Sequence, residues 1–472
     1  MTDQQPRGGG PVLAILIIAL ALAIILLQGC TVGPDYVRPE VDIPKDYATA
    51  QAKAEPAQDW WKLFNDPVLD RLEDEALAAN HDLRAAAERI EQARAQVSIT
   101  RSDQLPQVGV NASHNRTRSS AISSFPLPPE FLETNDNRVV AQFSWELDFW
   151  GKYRRATEAA KADLVATEAG RDAVRSSLVS DVAHGYFALL AYDRRIETLD
   201  RTRQSWAEAL VLQKARLEAG SVSELEYRQI ESQLRAAEAF LPVMRLARTR
   251  QEGALVILLG RTPREVFQAH LDRGNVSIPD AVEVPAGMPS DLLLRRPDLR
   301  QAEAMLHAAN ARIGVARAAY FPDISLTGYV GSESEALKGL FTGPARTWSL
   351  AGGLLQPIYA GGQIKGGVDL ADSRTREAAE YYQKAVANAF REVRDAIVAQ
   401  SELREASAKQ LEREQAYSRT LELARLRYQN GAINLFDLLE TERQLLAARL
   451  DAIDAERDRR DAIVELYTAL GA

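Results

Sequence analysis

Asn80-His81-Asp82-Leu83-Arg84 and Arg296-Pro297-Asp298-Leu299-Arg300 are two copies of one motif, 216 residues apart (80 to 296), and the match runs ungapped to Leu105-Pro106 against Phe321-Pro322. Working outward, Trp150-Gly151-Lys152 falls opposite Ala360-Gly361-Gly362. Arg216 and Gly220 fall opposite Arg427 and Gly431, and Leu259-Gly260 opposite Leu470-Gly471. A repeat this long is a duplicated domain unit and not a turn of a short solenoid. A chain of 472 residues ordinarily divides into roughly two or three globular domains. Here both copies share one element order, so they read as a single pseudo-symmetric architecture.

Each copy opens with a helical segment, Asp70 to Thr100 and Pro297 to Ala318, rich in Ala, Leu, Arg and Gln and free of interior proline. Leu105-Pro106 and Phe321-Pro322 end these helices, because the residue before proline is pushed out of the helical region. The period then becomes two. Between Arg138 and Phe149, Val139, Ala141, Phe143, Trp145, Leu147 and Phe149 fall on one side, and Gln142, Ser144, Glu146 and Asp148 on the other. The same alternation appears around Val108, Val110 and Ala112, around Ile324 and Leu326, and around Trp348 and Leu350, which predicts four strands. A half-buried sheet in a soluble domain would alternate likewise. Each strand can, however, reach the roughly 9 to 11 residues of a tilted membrane strand, and Trp145, Phe149, Trp150, Trp348 and Tyr359 stand near strand ends as an interfacial belt would. Bacterial barrels begin at about 8 strands and lipid tolerates no open sheet edge, so several chains must share one barrel. The loop Ser119 to Thr134, with Pro126, Pro128 and Pro129, then lies outside the cell.

Gly151 to Ala219 and Gly361 to Asn430 contain no proline and can each be one helix on the order of 100 Å long. Gly220 and Gly431 end them. Helices from Ser223 to Leu259 and from Asn434 to Leu470 return, the first kinked or broken at Pro242. Ile364, Val368, Ala371, Ala378, Tyr382, Ala385, Ala389, Val393 and Ala396 recur mostly three or four apart, a narrow coiled-coil seam of small residues. Such a seam lets helices pack side by side with water on two surfaces, which suits a hollow helical cylinder. An elongated, solid coiled-coil scaffold is the alternative.

Lys+Arg 57 against Asp+Glu 66 leaves a formal charge of −9 and no basic surface for nucleic acid. After Arg7 the run Pro11 to Leu27 is apolar and stops at Gln28-Gly29-Cys30, an export signal that is also only slightly short of a membrane span. The single Cys30 cannot form an intramolecular disulfide. Leu27-Gln28-Gly29-Cys30 resembles a bacterial lipobox, which implies removal of residues 1–29 and covalent lipid on Cys30, S-diacylglycerol and N-palmitoyl. Thr31, rather than Asp, then implies release to the outer membrane. The five histidines are scattered, none paired at the four-residue spacing of a helical metal site, and four methionines argue against a thioether copper path. Gly361-Gly362-Gln363-Ile364-Lys365-Gly366-Gly367 lacks the Gly-Lys-Ser/Thr ending of a phosphate loop. No nucleophile, base and orienter stand together, so we expect neither an enzyme, nor a metal, nor a cofactor beyond the lipid.

Cys30-Thr31-Val32-Gly33-Pro34-Asp35-Tyr36 and Trp60-Trp61-Lys62-Leu63-Phe64-Asn65-Asp66-Pro67 resemble the opening of the outer membrane efflux lipoproteins, the NodT-like and OprM-like branch of the TolC family. The likeness returns at Pro285 to Asp298, at Ala319-Tyr320-Phe321-Pro322 and at Tyr467-Thr468-Ala469-Leu470-Gly471, spanning the mature chain. It implies an α+β membrane protein. Three chains would complete a twelve-stranded outer membrane barrel, continued by a long α-helical barrel with a mixed equatorial region. The implied layout is signal peptide 1–29, anchored segment 30–65, first repeat 66–262 (strand pair 106–149, helix pair 151–260), equatorial linker 263–288 and second repeat 289–472 (strand pair 322–359, helix pair 361–470). The implied function is a passive exit duct for drugs or other small amphiphilic molecules. The implied partners are two sister copies, a periplasmic adaptor docking near Arg216, Gly220, Arg427 and Gly431, and an inner membrane pump of the proton-driven RND type. Asp437 and Glu440 match family positions that ring the periplasmic entrance with carboxylate, and Tyr428 matches a residue that holds it shut; Ile433 stands where some members carry arginine. A protein-secretion duct and a lipid-anchored scaffold without a pore are the rival readings.

Overall fold

The two copies fold into one succession of elements. The computed structural model describes residues 31–42, 59–122, 124, 127–268, 270–274 and 294–472. The signal segment, Cys30, Phe125-Pro126 and the Pro285–Asp291 stretch lie outside the described residues. The first copy gives α1 (Pro67–Ala79), α2 (His81–Ser102), β1 (Gln107–Arg118), β2 (Glu133–Glu146), α3 (Lys152–Glu218) and α4 (Glu224–Leu258), followed by the short α5 (Pro263–Phe267). The second gives α6 (Pro297–Ala318), β3 (Asp323–Ser334), β4 (Arg346–Leu355), α7 (Gln363–Gln429) and α8 (Leu435–Ala469). Partners are equal in length: 22 residues for α2 and α6, 67 for α3 and α7, 35 for α4 and α8.

Three sequence expectations need correction. The segment from Asp70 to Thr100 is two helices, broken at Asn80. Asn80 keeps extended backbone (φ −56°, ψ 133°), accepts from Leu83 N at 2.9 Å and donates its amide to Leu258 O at 2.9 Å. Gly260 passes so close that a Cβ there would meet Ala79 O at 2.2 Å, and at φ +68° only glycine is at ease. The duplication reproduces the device: the Arg296 guanidinium donates to Ala469 O at 3.1 Å. β2 stops at Glu146, so Leu147 and Phe149 leave the strand alternation; Leu147 N still donates to Ile324 O at 2.8 Å. Finally, α4 is continuous through Pro242, because Leu234, Ala237 and Leu241 bury the helix face on its inner side whatever hydrogen bond the proline removes.

Contacts divide the described residues into two compact units, each drawing on both copies: those within 1–40, 89–167 and 302–382, and those within 41–88, 168–301 and 383–472. The first unit holds one antiparallel sheet in the order β1-β2-β3-β4. Its register aligns the alternations of all four strands. Val108 faces Phe143, Val110 faces Ala141 and Ala112 faces Val139; Trp145 faces Leu326 and Ala141 faces Val330; Val330 faces Trp348 and Ile324 faces Leu354. One side is therefore largely apolar from Val108 to Ala112 and across the sheet, with Val108, Val110, Val330, Trp348, Leu350 and Leu354 all exposed on it, and turns polar at Ser332, Arg346, His114 and Asn137. The other side carries Asn111, Ser113, Gln142, Ser144, Ser325, Thr327 and Tyr329. A one-residue slip anywhere would mix the two surfaces. At the helix end of the sheet the Trp145 and Trp150 indoles donate to Gln104 O and Pro322 O, and Trp150 stacks on Phe321 at 4.7 Å, while Trp348 stands near the loop end. Residues 31–38 are tied to the same unit: Val32 N donates to Trp150 O at 3.0 Å, Arg155 reaches Asp35 at 2.7 Å, and Arg38 grips Glu303 with two bonds of 2.6 Å.

The second unit has a dry core. Trp60, Trp61 and Phe64 pack with Leu178, Val182, Tyr186, Phe187, Leu255, Leu259, Ile463 and Val464, and Trp60 stacks on Tyr467. The core thins along the helices. On α7 the seam is Tyr382, Val386, Ala389, Val393 and Ala396, with Val386 taking the place expected of Ala385, and no residue from 397 to 420 is buried. One carboxyl sits in the core without a hydrogen-bond partner: Glu73 on α1 is fully buried. Desolvation, then the nearby Asp74, pushes its pKa well above the ordinary value, against the attraction of Arg175. Because the folded pKa exceeds the unfolded one, the unfolded chain releases this proton first, and stability falls as pH rises above about 4.5. Glu73→Leu is expected to stabilise the protein by about 1–3 kcal/mol at neutral pH and to flatten the loss of melting temperature between acid and neutral conditions. An unchanged melting profile across that range would count against the buried acid.

Candidate functional site

Two interhelical turns in the second unit carry most of the residues singled out from the sequence, and each is built by the same local rules. At the first, Gly220 takes φ +68°, Gly220 N donates to Leu217 O and Ser221 N to Arg216 O, both at 2.9 Å. At the second, Gly431 takes φ +68°, Gly431 N donates to Tyr428 O at 3.0 Å and Ala432 N to Arg427 O at 2.8 Å. This is the glycine-terminated helix end in which two orphan carbonyls are satisfied. Arg216 and Arg427 thus serve the turns with their carbonyls while their side chains stand exposed, with no ion pair among the described residues.

The helices restart differently. Ser223 and Glu226 form a reciprocal capping box: Ser223 Oγ accepts from Glu226 N at 3.3 Å, and Glu226 Oε2 accepts from Ser223 N at 2.8 Å. In the other copy Asn434 accepts from Asp437 N at 2.9 Å, but the shorter aspartate does not reach back. Its carboxylate is left exposed and without a partner among the described residues, at the positive end of the α8 dipole. Glu440, one turn on, is compensated. Arg443 donates to it at 2.6 and 2.9 Å and Gln444 at 2.9 Å, and the Arg443 hydrogen bonds hold its pKa below the ordinary value. The two carboxylates proposed as a pair are therefore unequal, Asp437 bare and Glu440 neutralised by its own helix.

Tyr428 is half-buried against the cluster of Ile230, Leu421, Leu435, Leu438 and Leu439, which also takes in Ile433. Its hydroxyl accepts from the buried Gln213 of α3 at 3.1 Å. Sequence reasoning did not single out Gln213, nor the knot two turns further along. There the buried Trp206 of α3 donates to Glu442 of α8 at 2.9 Å, and Arg425 of α7 donates to the other oxygen of Glu442 at 3.0 Å. One carboxylate thereby ties three helices. A lone tryptophan in an otherwise charged stretch of helix was the available signal. Farther along the unit, a groove of about 630 Å3 between α3, α7 and α8 is lined by Arg194, Arg201, Glu414, Arg449 and Glu456, so the helices there face water and charge. His184 is held by Asp461 at 2.7 Å, and no cluster of metal-ligating groups occurs among the described residues.

Comparison with known proteins agrees over nearly the whole chain. The family model described as "Outer membrane efflux protein" matches residues 72–261 and 288–472. The solvent efflux pump outer membrane protein SrpC of Pseudomonas putida is 33% identical over 465 residues, covering 95% of this chain and 96% of that one. The cation efflux system protein CusC of Escherichia coli K12 is 31% identical over 464 residues, 97% of this chain and 98% of its own. Among solved structures, the CmeC outer membrane channel of Campylobacter jejuni superposes with a TM-score of 0.88 at 29% identity, covering 94% of this chain and 95% of that chain. A CusC crystal structure superposes with a TM-score of 0.83 at 30% identity, covering 94% and 100%.

Glu442→Ala leaves the buried Trp206 indole and the Arg425 guanidinium without their acceptor, and should cost about 1–3 kcal/mol of local stability. Hydrogen exchange should then quicken at the α7–α8 turn while the aromatic core keeps its protection. Equal exchange in variant and parent would remove the knot from the account.

Proposed function

The chain belongs to the outer membrane efflux protein family, and we propose that three copies of it join their sheets into one twelve-stranded barrel and their helices into one hollow duct. It is the outer membrane component of an efflux system. The observation that carries the reading is the sheet: four strands in register, one surface largely apolar and exposed, and the outer edges of β1 and β4 with no strand beside them among the described residues. Open edges are not tolerated in lipid, so the edges of sister chains must pair. The opposite surface, lined with Asn, Ser, Gln and Thr, then faces water.

Transport through such a duct is passive, and the energy comes from an inner membrane pump of the RND type joined through a periplasmic adaptor. The adaptor meets the exposed turns at Arg216-Gly220 and Arg427-Gly431. The cargo class is small amphiphilic molecules; relatives named for solvent and cation efflux span a wide range of solutes. At the entrance, three symmetry copies of the bare Asp437 attract cations and repel one another, while Tyr428, steadied by Gln213, contributes to closure. Glu440 contributes less, because Arg443 already balances it. Lipid on Cys30, S-diacylglycerol with an N-palmitoyl chain, anchors the start of the segment that is strapped to Trp150.

In planar bilayers the purified protein is expected to conduct in small, mostly closed steps with a preference for cations. Asp437→Asn should lower that preference severalfold, and Glu440→Gln should change it less. A folded oligomer without any conductance would overturn the duct, and unaltered selectivity in Asp437→Asn would move that residue away from the entrance. In cells given labelled palmitate, label should enter the parent and be absent from Cys30→Ser; label surviving the substitution would place the lipid elsewhere.

A further inference from the structure

Two helical hairpins, α3–α4 and α7–α8, are held together by ties of two kinds. Farther from the turns the ties join charge to charge: Arg195 of α3 donates to both oxygens of Asp454 of α8 at 2.7 Å, and the neighbouring Arg194 pairs with Glu456. Nearer the turns the donors are neutral. Trp206 donates to Glu442 at 2.9 Å, and Gln213 to the Tyr428 hydroxyl at 3.1 Å. Trp206 stands roughly 16 Å along α3 from Arg195, and Gly220 roughly 20 Å farther.

Each hairpin keeps its own half of the tie at Glu442. The Trp206 ring is buried on its own side, packed with Leu234 and Ala237 of α4, and offers the other hairpin a single N–H donor. The Glu442 side chain is 14% exposed, and its oxygens take one donor each: Oε2 the indole, Oε1 Arg425 of α7 at 3.0 Å. Arg425 and Glu442 belong to the same hairpin. Parting the hairpins therefore breaks the indole bond and leaves the charge-assisted one in place, so the carboxylate is never stripped of its counter-ion. A cavity of about 110 Å3 opens beside the bond, lined among others by Trp206, Leu421, Arg425, Glu442 and Leu446. It has room for water to take up the place of the indole at Oε2. Parting Arg195 from Asp454 separates opposite charges instead, a larger loss.

We propose that Glu442 is the release latch between the hairpins. It is a positioning residue that holds α8, and with it Asp437, against α3 in the closed duct and lets go of Trp206 when the duct opens, while Arg425 keeps its carboxylate in both states. The inference rests on the duct reading and deepens it. The level of Arg195 and Asp454 is the pivot, and the helix ends beyond it are the arms that move.

Two substitutions remove the bond from opposite sides. Trp206→Phe keeps the ring on Leu234 and Ala237 and takes away only the donor. Glu442→Gln keeps one acceptor oxygen, which Arg425 claims, so the amide turns its N–H groups toward the indole. In planar bilayers each variant oligomer should be open at least about fivefold more of the time than the parent, with the size of the open step unchanged in Trp206→Phe. The double variant should match the single ones, because all three lack the same bond. Arg419→Gln, exposed on α7, should gate like the parent. Elution of each variant at the parent's oligomeric size shows that it has folded. An open fraction in Trp206→Phe equal to the parent's overturns the latch, and so does a double variant whose effect is the product of the two single ones. If the parent itself never conducts, the duct reading falls and the latch with it. If Asp437→Asn lowers cation preference while Trp206→Phe gates like the parent, the entrance stands and the latch alone is lost.

Discussion

Backbone hydrogen bonding in the absence of water is the constraint on which the rest depends. A strand carries an N–H and a C=O at every residue, and hydrocarbon offers neither donor nor acceptor, so a sheet in lipid has to be closed. This chain has four strands in one sheet with an exposed, largely apolar surface, and in the proposed trimer the outer edges of β1 and β4 are closed by sister chains. In the proposed trimer, association is therefore part of folding. In that reading register is decisive, since side chains would alternate between lipid and water at every step along the strand.

The helices solve a different problem with less hydrophobic material. Where Trp60, Trp61 and Phe64 pack, the second unit has an ordinary dry core. Toward the turns the burial narrows to seams and small clusters, and polar ties take over: Trp206 and Arg425 on Glu442, Gln213 on Tyr428, Arg195 on Asp454 at 2.7 Å. Such ties fix which helix faces which without demanding a filled interior, and many charged side chains between them stay exposed. The asymmetry between the two turns has the same economy. One methylene separates Glu226, whose carboxylate folds back to cap its helix, from Asp437, whose carboxylate cannot.

Much of this was legible in the residues. The repeat fixed the pairing of elements, down to equal helix lengths in the two copies, because proline and glycine punctuate both in the same places. The four strands were visible in their period, and the turns at Gly220 and Gly431 in the glycines themselves. The break at Asn80 was not, since Asn-His-Asp-Leu continues a helical composition and the interruption depends on an amide reaching Leu258 O and on Gly260 crowding Ala79. Of the two outcomes expected at Pro242, a kink or a break, the break does not occur: α4 runs on through the proline, with Leu234, Ala237 and Leu241 packed on the preceding turns.

By itself, then, the sequence determined the duplication, the element types and the two-faced character of strands and helices, because each is a local pattern with a period of its own. Only the tertiary structure decided how those patterns are joined. It set the register that makes four apolar stripes one surface, left Asp437 bare while Arg443 covers Glu440, and made Glu442 the meeting point of three helices. These are contacts between residues up to a few hundred positions apart, and no periodicity records which distant donor will reach a given acceptor.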